Sequence, residues 1–229
     1  MPQNKQARTE KTSAGNPSRD LILGRIRQAL LTSAPELSAP AAPSGRVIFE
    51  PIHNPLERFQ QECIANLTEC ALTTDFVSSA QHLAKVLASL PAGEAFVQDD
   101  SALRRLVELT SPARSIRWSS EGAPREASQV TVTLAETLIA QTGSILVSAS
   151  CGGRGASVIA PCHIVYATVA QLVPDLATAL ARIGQERKLD RHSFACVISG
   201  SSRTADIEKI LVQGAHGPRR LVVILQVAL

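Results

Sequence analysis

The chain has 229 residues, 45% of them hydrophobic and 19% charged, with a formal net charge of +3 and a mean hydropathy of +0.08. That is enough apolar material for one full domain plus an appendage, and no run of about 18 uncharged apolar residues offers a membrane span. Aromatic residues make up 3% of the chain and the basic residues are scattered, which argues against a nucleic-acid-binding surface.

Residues 1–17, opening MPQNKQARTEKT, are polar and aperiodic, which predicts disorder. They lack the apolar core of a secretory signal, so a cytoplasmic location is the default expectation. Asn16, Pro17 and Ser18 announce a helix over Arg19–Leu30, with Leu21, Ile22, Ile26 and Leu30 as its apolar stripe. The TSAPELSAPAAPSG that follows reads as a linker. Residues 18–46 are therefore expected to form an N-terminal helical appendage that docks on its own domain or on another subunit, and residues 47–229 the main domain.

A helix over Pro55–Ala71, with Leu56, Phe59, Cys63, Ile64 and Leu67 inward, is expected to feed a strand at Thr73–Val77. Helix Ser79–Leu90, strand Ala95–Val97, helix Ala102–Leu109 and strand Ser115–Trp118 continue the alternation, with His82 on a helix surface. This exchange with short turns argues for an α/β protein with a central, mostly parallel sheet flanked by helices. After Val130 the pattern becomes strand Val130–Thr133, short helix Ala135–Ile139, strand Ser144–Val147, loop Ser148–Pro161, strand His163–Val169, helix Pro174–Gln185 and strand Ser193–Ile198. The glycine-rich loop is long. It either brings backbone close to a ligand, with Arg154 contacting a carboxylate or phosphate, or it is a mobile crossover.

Cys63, Cys70, Cys151, Cys162 and Cys196 are odd in number and widely spaced, with no CxxC pair, so neither a disulfide framework nor a zinc or iron–sulfur site is expected. No metal or cofactor is expected. Cys63 and Cys70 read as packing residues on one helix, and Cys151, beside Gly152 and Gly153, as the most exposed thiol.

The segment SGSSRTADIEKILVQGAHGPR, Ser199–Arg219, concentrates anion-holding groups between two apolar runs. Thr204–Gln213 reads as a helix with Ile207, Ile210 and Leu211 on one face, so Gly200, Ser201 and Ser202 would form a turn between a strand's carboxyl end and a helix start. Free N–H groups there, with Arg203, Thr204 and the serine hydroxyls, suit a phosphate or carboxylate. Asp206 and Glu208 would cap the helix on the plainer reading.

Three segments, Glu136–Ser150 (ETLIAQTGSILVSAS), Arg154–His163 (RGASVIAPCH) and Ser199–Leu225, resemble in order and spacing the lactate utilization protein C family, the LUD domain proteins, from about Glu50 to the end of the chain. The family's motif falls on Thr142, Gly143, Arg154, Pro161, His163, Gly200, Ser202, Arg203, Thr204, Asp206, Ile207, Glu208, Gly214, His216, Gly217, Pro218 and Arg219. Ser201 stands where proline is usual and Ser144 where threonine is usual. The resemblance implies a fold like that of the ribose-5-phosphate isomerase, glucosamine-6-phosphate deaminase and CoA-transferase group. It also implies a part in oxidising L-lactate to pyruvate beside two iron–sulfur partner proteins.

On this reading the chain is an accessory or regulatory subunit that binds an anionic small molecule or its partners at the sheet's carboxyl edge through Gly200, Ser201, Ser202, Arg203 and Thr204, aided by Arg154. His163, Asp206, His216 and Arg219 serve as partner or structural elements. The alternative is a transferase or isomerase acting on a phosphorylated or CoA-linked acid, for which Glu136 and His216 are the catalytic candidates. Glu136 is more simply explained by capping or the dipole at a helix start.

Overall fold

Six parallel strands form the main sheet in the order β1-β12-β7-β4-β2-β3. The computed structural model describes residues 17–31, 50–122, 127–186, 194–206, 210–213 and 217–228. The elements in chain order are α1 (Pro17–Leu30), α2 (Pro55–Ala65), β1 (Thr68–Thr73), α3 (Phe76–Ala88), β2 (Glu94–Val97), α4 (Ser101–Thr110), β3 (Ile116–Trp118), β4 (Ser128–Leu134), β5 (Thr137–Ile139), β6 (Ser144–Ser148), β7 (Cys162–Thr168), β8 (Leu172–Val173), α5 (Leu176–Gln185), β9 (Ala195–Ile198), β10 (Arg203–Asp206), β11 (Ile210–Gln213) and β12 (Arg220–Gln226). Helix α1 belongs to a unit Met1–Glu50, and everything from Pro51 onward to a second unit. In α1 the predicted stripe residues Leu21, Ile22, Ile26 and Leu30 are exposed.

Strand alternation assigns the two faces of the sheet. Val130, Val132, Cys162, Ile164, Val222 and Ile224 pack against Leu83 and Leu87 of α3 and Leu103 and Leu106 of α4. Both helices start on aspartate caps. Ser78 N donates to Asp75 Oδ1 at 2.7 Å, and Ala102 N to Asp100 Oδ1 at 2.8 Å. The other face carries Val165, Ala167, Leu221, Val223 and Leu225, covered by Phe59 and Cys63 of α2 and by Leu138, Ile145 and Val147 of a second sheet ordered β8-β5-β6-β9. The outer side of that small sheet, Ile139 and Leu146, packs on Ala179 and Ile183 of α5. The small sheet is antiparallel in its β5-β6 and β6-β9 pairs.

Three expected helical stretches are corrected. Helix α2 stops at Ala65, because Leu67 adopts a left-handed φ of 58° and turns the chain into β1, so Cys70 lies on a strand. The expected strand at Thr73–Val77 is accordingly the end of β1 and the start of α3. Residues 137–139 form β5, antiparallel to β6, where a short helix is expected; Thr137 and Ile139 are β-branched and favour this extended form. The third is the expected helix Thr204–Gln213. It is the antiparallel pair β10–β11, with Arg203 opposite Gln213 and Asp206 opposite Ile210. Thr204, Ile210 and Val212 are β-branched, so the same apolar spacing is satisfied by strands.

The Thr142–Gly143 turn joins β5 to β6 directly over α2. Gly143 has φ +59°, and a Cβ there would stand 2.7 Å from the Glu62 carbonyl carbon and 2.8 Å from Cys63 N. Gly143→Ala is therefore expected to destabilise the protein by about 2 kcal/mol or more, read as a lower urea midpoint with unchanged slope.

Candidate functional site at the amino edge of the main sheet

The three motif segments meet where β1, β12 and β7 begin. Pro161 O accepts from Arg219 N at 2.9 Å and Arg220 N at 3.2 Å, and Ser202 N donates to Pro218 O at 2.8 Å. The Ser199–Arg203 turn is held on its other side by α2. Gly200, at φ +81°, lies so close to Asn66 that a Cβ would come within 2.3 Å of its carbonyl oxygen. Asn66 Nδ2 in turn donates to Thr142 O at 2.9 Å. A chain of hydroxyls completes the junction, with Ser144 Oγ 2.6 Å from both Thr142 Oγ1 and Ser199 Oγ. The Ser144 hydroxyl thus ties β6 to the turn after β9.

Near the starts of the same strands, one register row crosses the inner face of the sheet. Thr68, Leu221, His163 and Thr131 are consecutive register partners across β1, β12, β7 and β4. His163 is fully buried and shares a 2.8 Å hydrogen bond between its Nε2 and Thr133 Oγ1. Its Nδ1, Thr131 Oγ1, Thr68 Oγ1 and Ser201 Oγ are buried and have no hydrogen-bond partner among the described residues. Buried polar groups are normally paired, so these atoms stand out against the rest of the described core. Burial pushes His163 down to about 4, so the neutral ring is native at neutral pH.

The expected residues do not form one site. The turn holding Gly200, Ser201, Ser202 and Arg203 lies at the amino edge, not the carboxyl edge, and leads into a strand rather than a helix; no helix start contributes donors there. Ser201 is buried and Arg203 exposed, while the side chain of Thr204 on β10 lies outside the described residues. Arg154 is exposed and stacks on Phe194, 5.6 Å from the ring centre. Phe194 and Ser199 bracket β9, about 16 Å of strand, so Arg154 stands away from the turn. Asp206 is on β10 and pairs with Ile210, and Arg219 is exposed with its N–H on Pro161 O. His216 and Glu208 lie outside the described residues.

Glu136 is not at a helix start. It follows β4 at the carboxyl edge, half-buried, where Ser148 Oγ and Ser150 Oγ donate to its Oε1 at 2.6 and 2.8 Å. The glycine-rich loop begins here and passes over Phe96, whose ring a Cβ on Gly152 would meet at 2.7 Å. Gly152 also neighbours Ser119, whose Oγ accepts from Asp99 N. Asp99 is held down to about 2 chiefly by Arg104, which also stacks on Trp118. Cys151 is buried rather than exposed, and desolvation raises its thiol to about 11, so it is protonated and inert at neutral pH. Among the described residues no group of three His, Cys, Asp or Glu comes together to hold a metal, and no helix is long and apolar enough to cross a membrane. A cavity of about 400 Å³ lies elsewhere, between the end of α3 and the turn after α4; Arg114 there donates to Leu87 O and Leu90 O and so caps α3.

The LUD domain family model matches residues 61–226, which span every strand of the two packed sheets. The chain belongs to the LUD domain family. Lactate utilization protein C of Geobacillus sp. is 26% identical over 74% of this chain and 77% of its own. The uncharacterized protein YkgG of Escherichia coli is 27% identical over 69% and 73%. A crystal structure of a DUF162 family protein from Deinococcus radiodurans superposes with a TM-score of 0.56 at 16% identity, over 76% of this chain and 96% of that one, which is a likeness of fold.

The depressed His163 pKa has a defined stability consequence. Its ring titrates near 6.5 in the unfolded chain and about 4 in the folded one, so between these values the unfolded state binds the extra proton. Stability is complete above about pH 6.5 and falls by about 3 kcal/mol as pH drops to about 4. Urea midpoints measured across this window are expected to fall with pH in the native protein and to lose that share of their slope in His163→Gln.

Proposed function

We propose that this chain is an accessory or regulatory subunit of a cytoplasmic system that oxidises L-lactate to pyruvate, working by binding an anionic ligand or the system's iron–sulfur subunits rather than by covalent chemistry. The observation that carries this reading is the convergence of all three motif segments on one edge, around a turn whose buried Ser201 hydroxyl is unused among the described residues, in a chain similar to proteins named for lactate utilization. Ser202 N–H already serves Pro218 O, so binding falls to the hydroxyls around Gly200 and Thr204 and to Arg203, whose exposed guanidinium suits a carboxylate or phosphate.

An enzymatic alternative rests on Glu136. We read the parallel sheet as the arrangement of the ribose-5-phosphate isomerase, glucosamine-6-phosphate deaminase and CoA-transferase group, and a carboxylate just beyond the carboxyl end of a central strand is where α/β enzymes place chemistry. With its Oε1 oriented by two serine hydroxyls, Glu136 supports a transferase or isomerase acting on a phosphorylated or CoA-linked acid.

Affinity capture of the tagged full-length chain from lactate-grown cells separates the two readings. Iron–sulfur proteins are expected to be retained by the native chain and reduced severalfold with Arg203→Ala. Retention of no partner, together with saturable turnover of a CoA-linked acid that Glu136→Gln abolishes, overturns the accessory reading.

A further inference from the structure

Helix α2 and strand β1 each turn one cysteine into the layer between them. Cys63, in the last turn of α2, is fully buried and covers the inner face of the sheet beside Phe59. Cys70 on β1 is the register partner of Val223 and packs into the same layer, so strand alternation aims its sulfur toward α2. The two side chains meet there through a hydrogen bond that Cys63 donates and Cys70 accepts. Both are free thiols, and the chain between them reverses at Leu67, whose φ is 58°.

Their surroundings give the two sulfurs opposite characters. The hydrogen bond lowers the pKa of Cys70 and raises that of Cys63, and burial adds to the rise at Cys63. The thiolate, which is the reactive form, therefore gathers on Cys70 while Cys63 keeps its proton. Access is divided the same way. Cys70 is half-buried on the strand that ends the main sheet on that side, whereas Cys63 has no exposed surface. Cys151 and Cys162 are buried thiols that desolvation pushes up to about 11 and about 12, so neither competes at neutral pH.

We infer that Cys63 and Cys70 form a redox-active dithiol, which a hydroperoxide converts into a reversible disulfide that fastens the end of α2 to β1. Cys70 attacks first. Its thiolate takes the outer oxygen of the hydroperoxide, an S–O bond forming as the O–O bond breaks, and the leaving alkoxide or hydroxide picks up the proton that Cys70 had lost to solvent. With the Cys70 charge gone, the hydrogen bond and the repulsion that hold the Cys63 proton are gone as well. The Cys63 sulfur then attacks that of Cys70, the S–S bond forms as the S–O bond breaks, and the departing hydroxide leaves with the Cys63 proton as water. Two electrons pass from the sulfurs to the peroxide, and a small-molecule dithiol returns them. The change reaches the Thr142–Gly143 turn, because Cys63 loses the S–H it offers to Gly143 O, and Asn66, which holds Thr142 O, lies inside the closed ring.

The test uses the full-length chain carrying Cys196→Ser, which removes the exposed thiol. Trypsin cuts after Arg58 and after Lys85 and nowhere between, so both cysteines fall in one peptide, residues 59–85. The folded chain is treated with hydrogen peroxide, unfolded in iodoacetamide to alkylate the remaining thiols, digested and weighed by mass spectrometry. That peptide is expected to be two hydrogens lighter and free of alkyl groups, with Cys151 and Cys162 alkylated, and dithiothreitol before alkylation is expected to restore both thiols. The link is expected to form about tenfold faster in the folded chain than in urea, where the hydrogen bond that favours the Cys70 thiolate is absent. Cys63→Ser is expected to stop at the Cys70 sulfenic acid, trapped by dimedone; the link itself is read with both core cysteines in place, so the folding of that variant does not decide the outcome. Alkylation of both cysteines after peroxide overturns the inference, as does a link that forms no faster in the folded chain than in urea, or oxidation of Cys151 or Cys162 ahead of Cys70.

Discussion

The fold closes on its last strand. β12 enters between β1 and β7, pairing in parallel with both, and its residues Leu221 to Leu225 are buried to 2% exposure or less. Leu221, Val223 and Leu225 enter the layer under the small sheet, and Val222 and Ile224 the layer under α3 and α4. Five apolar side chains at about 2 kcal/mol each amount to about 10 kcal/mol, comparable to the whole net stability of a typical domain. Arg220 fixes the strand's start with a two-pronged contact to Glu69, at 2.6 and 2.8 Å, and a third bond to Ser89 Oγ. Without β12, β1 has no partner in the sheet and β7 presents an open edge.

The same backbone that seats β12 also builds the candidate site. Pro218 and Arg219 precede the strand and bond to Ser202 and Pro161, so the turn cannot move without loosening the start of the strand that completes the sheet. This coupling distinguishes the amino edge from the carboxyl edge, where Glu136, the serines and the glycine-rich loop are tied among themselves. The amino edge is rigid at its periphery and unsatisfied in its interior. The carboxyl edge, in its described contacts, is polar and paired.

Much of this was legible in the sequence, and the failures have physical causes. The alternation of apolar runs with amphipathic stretches gives the α/β class, and α1, α3, α4 and α5 fall within a few residues of expectation, because helices with aspartate or proline starts declare themselves. Ambiguity concentrates where β-branched residues carry helical spacing. Thr137 and Ile139, and then Thr204, Ile210 and Val212, satisfy either period, and the pairing partner that decides between them is far away or several residues on. The motif residues were visible, but their place was not. A strand–turn segment looks alike whichever edge of a sheet it serves, and only the bonds of Ser202 and Arg219 put it at the amino edge. The register row was invisible for another reason: Thr68, Leu221, His163 and Thr131 are aligned through parallel strand pairing alone and lie far apart along the chain.

The scarcity of aromatic residues gives the molecule two separate optical reporters. The chain has one tryptophan and one tyrosine. Trp118 lies at the end of β3 with the Arg104 guanidinium 4.4 Å above its ring and Ser119, next in sequence, against Gly152. Tyr166 is buried on the helical face, its hydroxyl donating to Gln226 at the far end of β12. Selective excitation of the indole therefore reads the carboxyl edge and the loop above it, while the phenol reads the seating of the final strand, with no label added and no overlap of assignment.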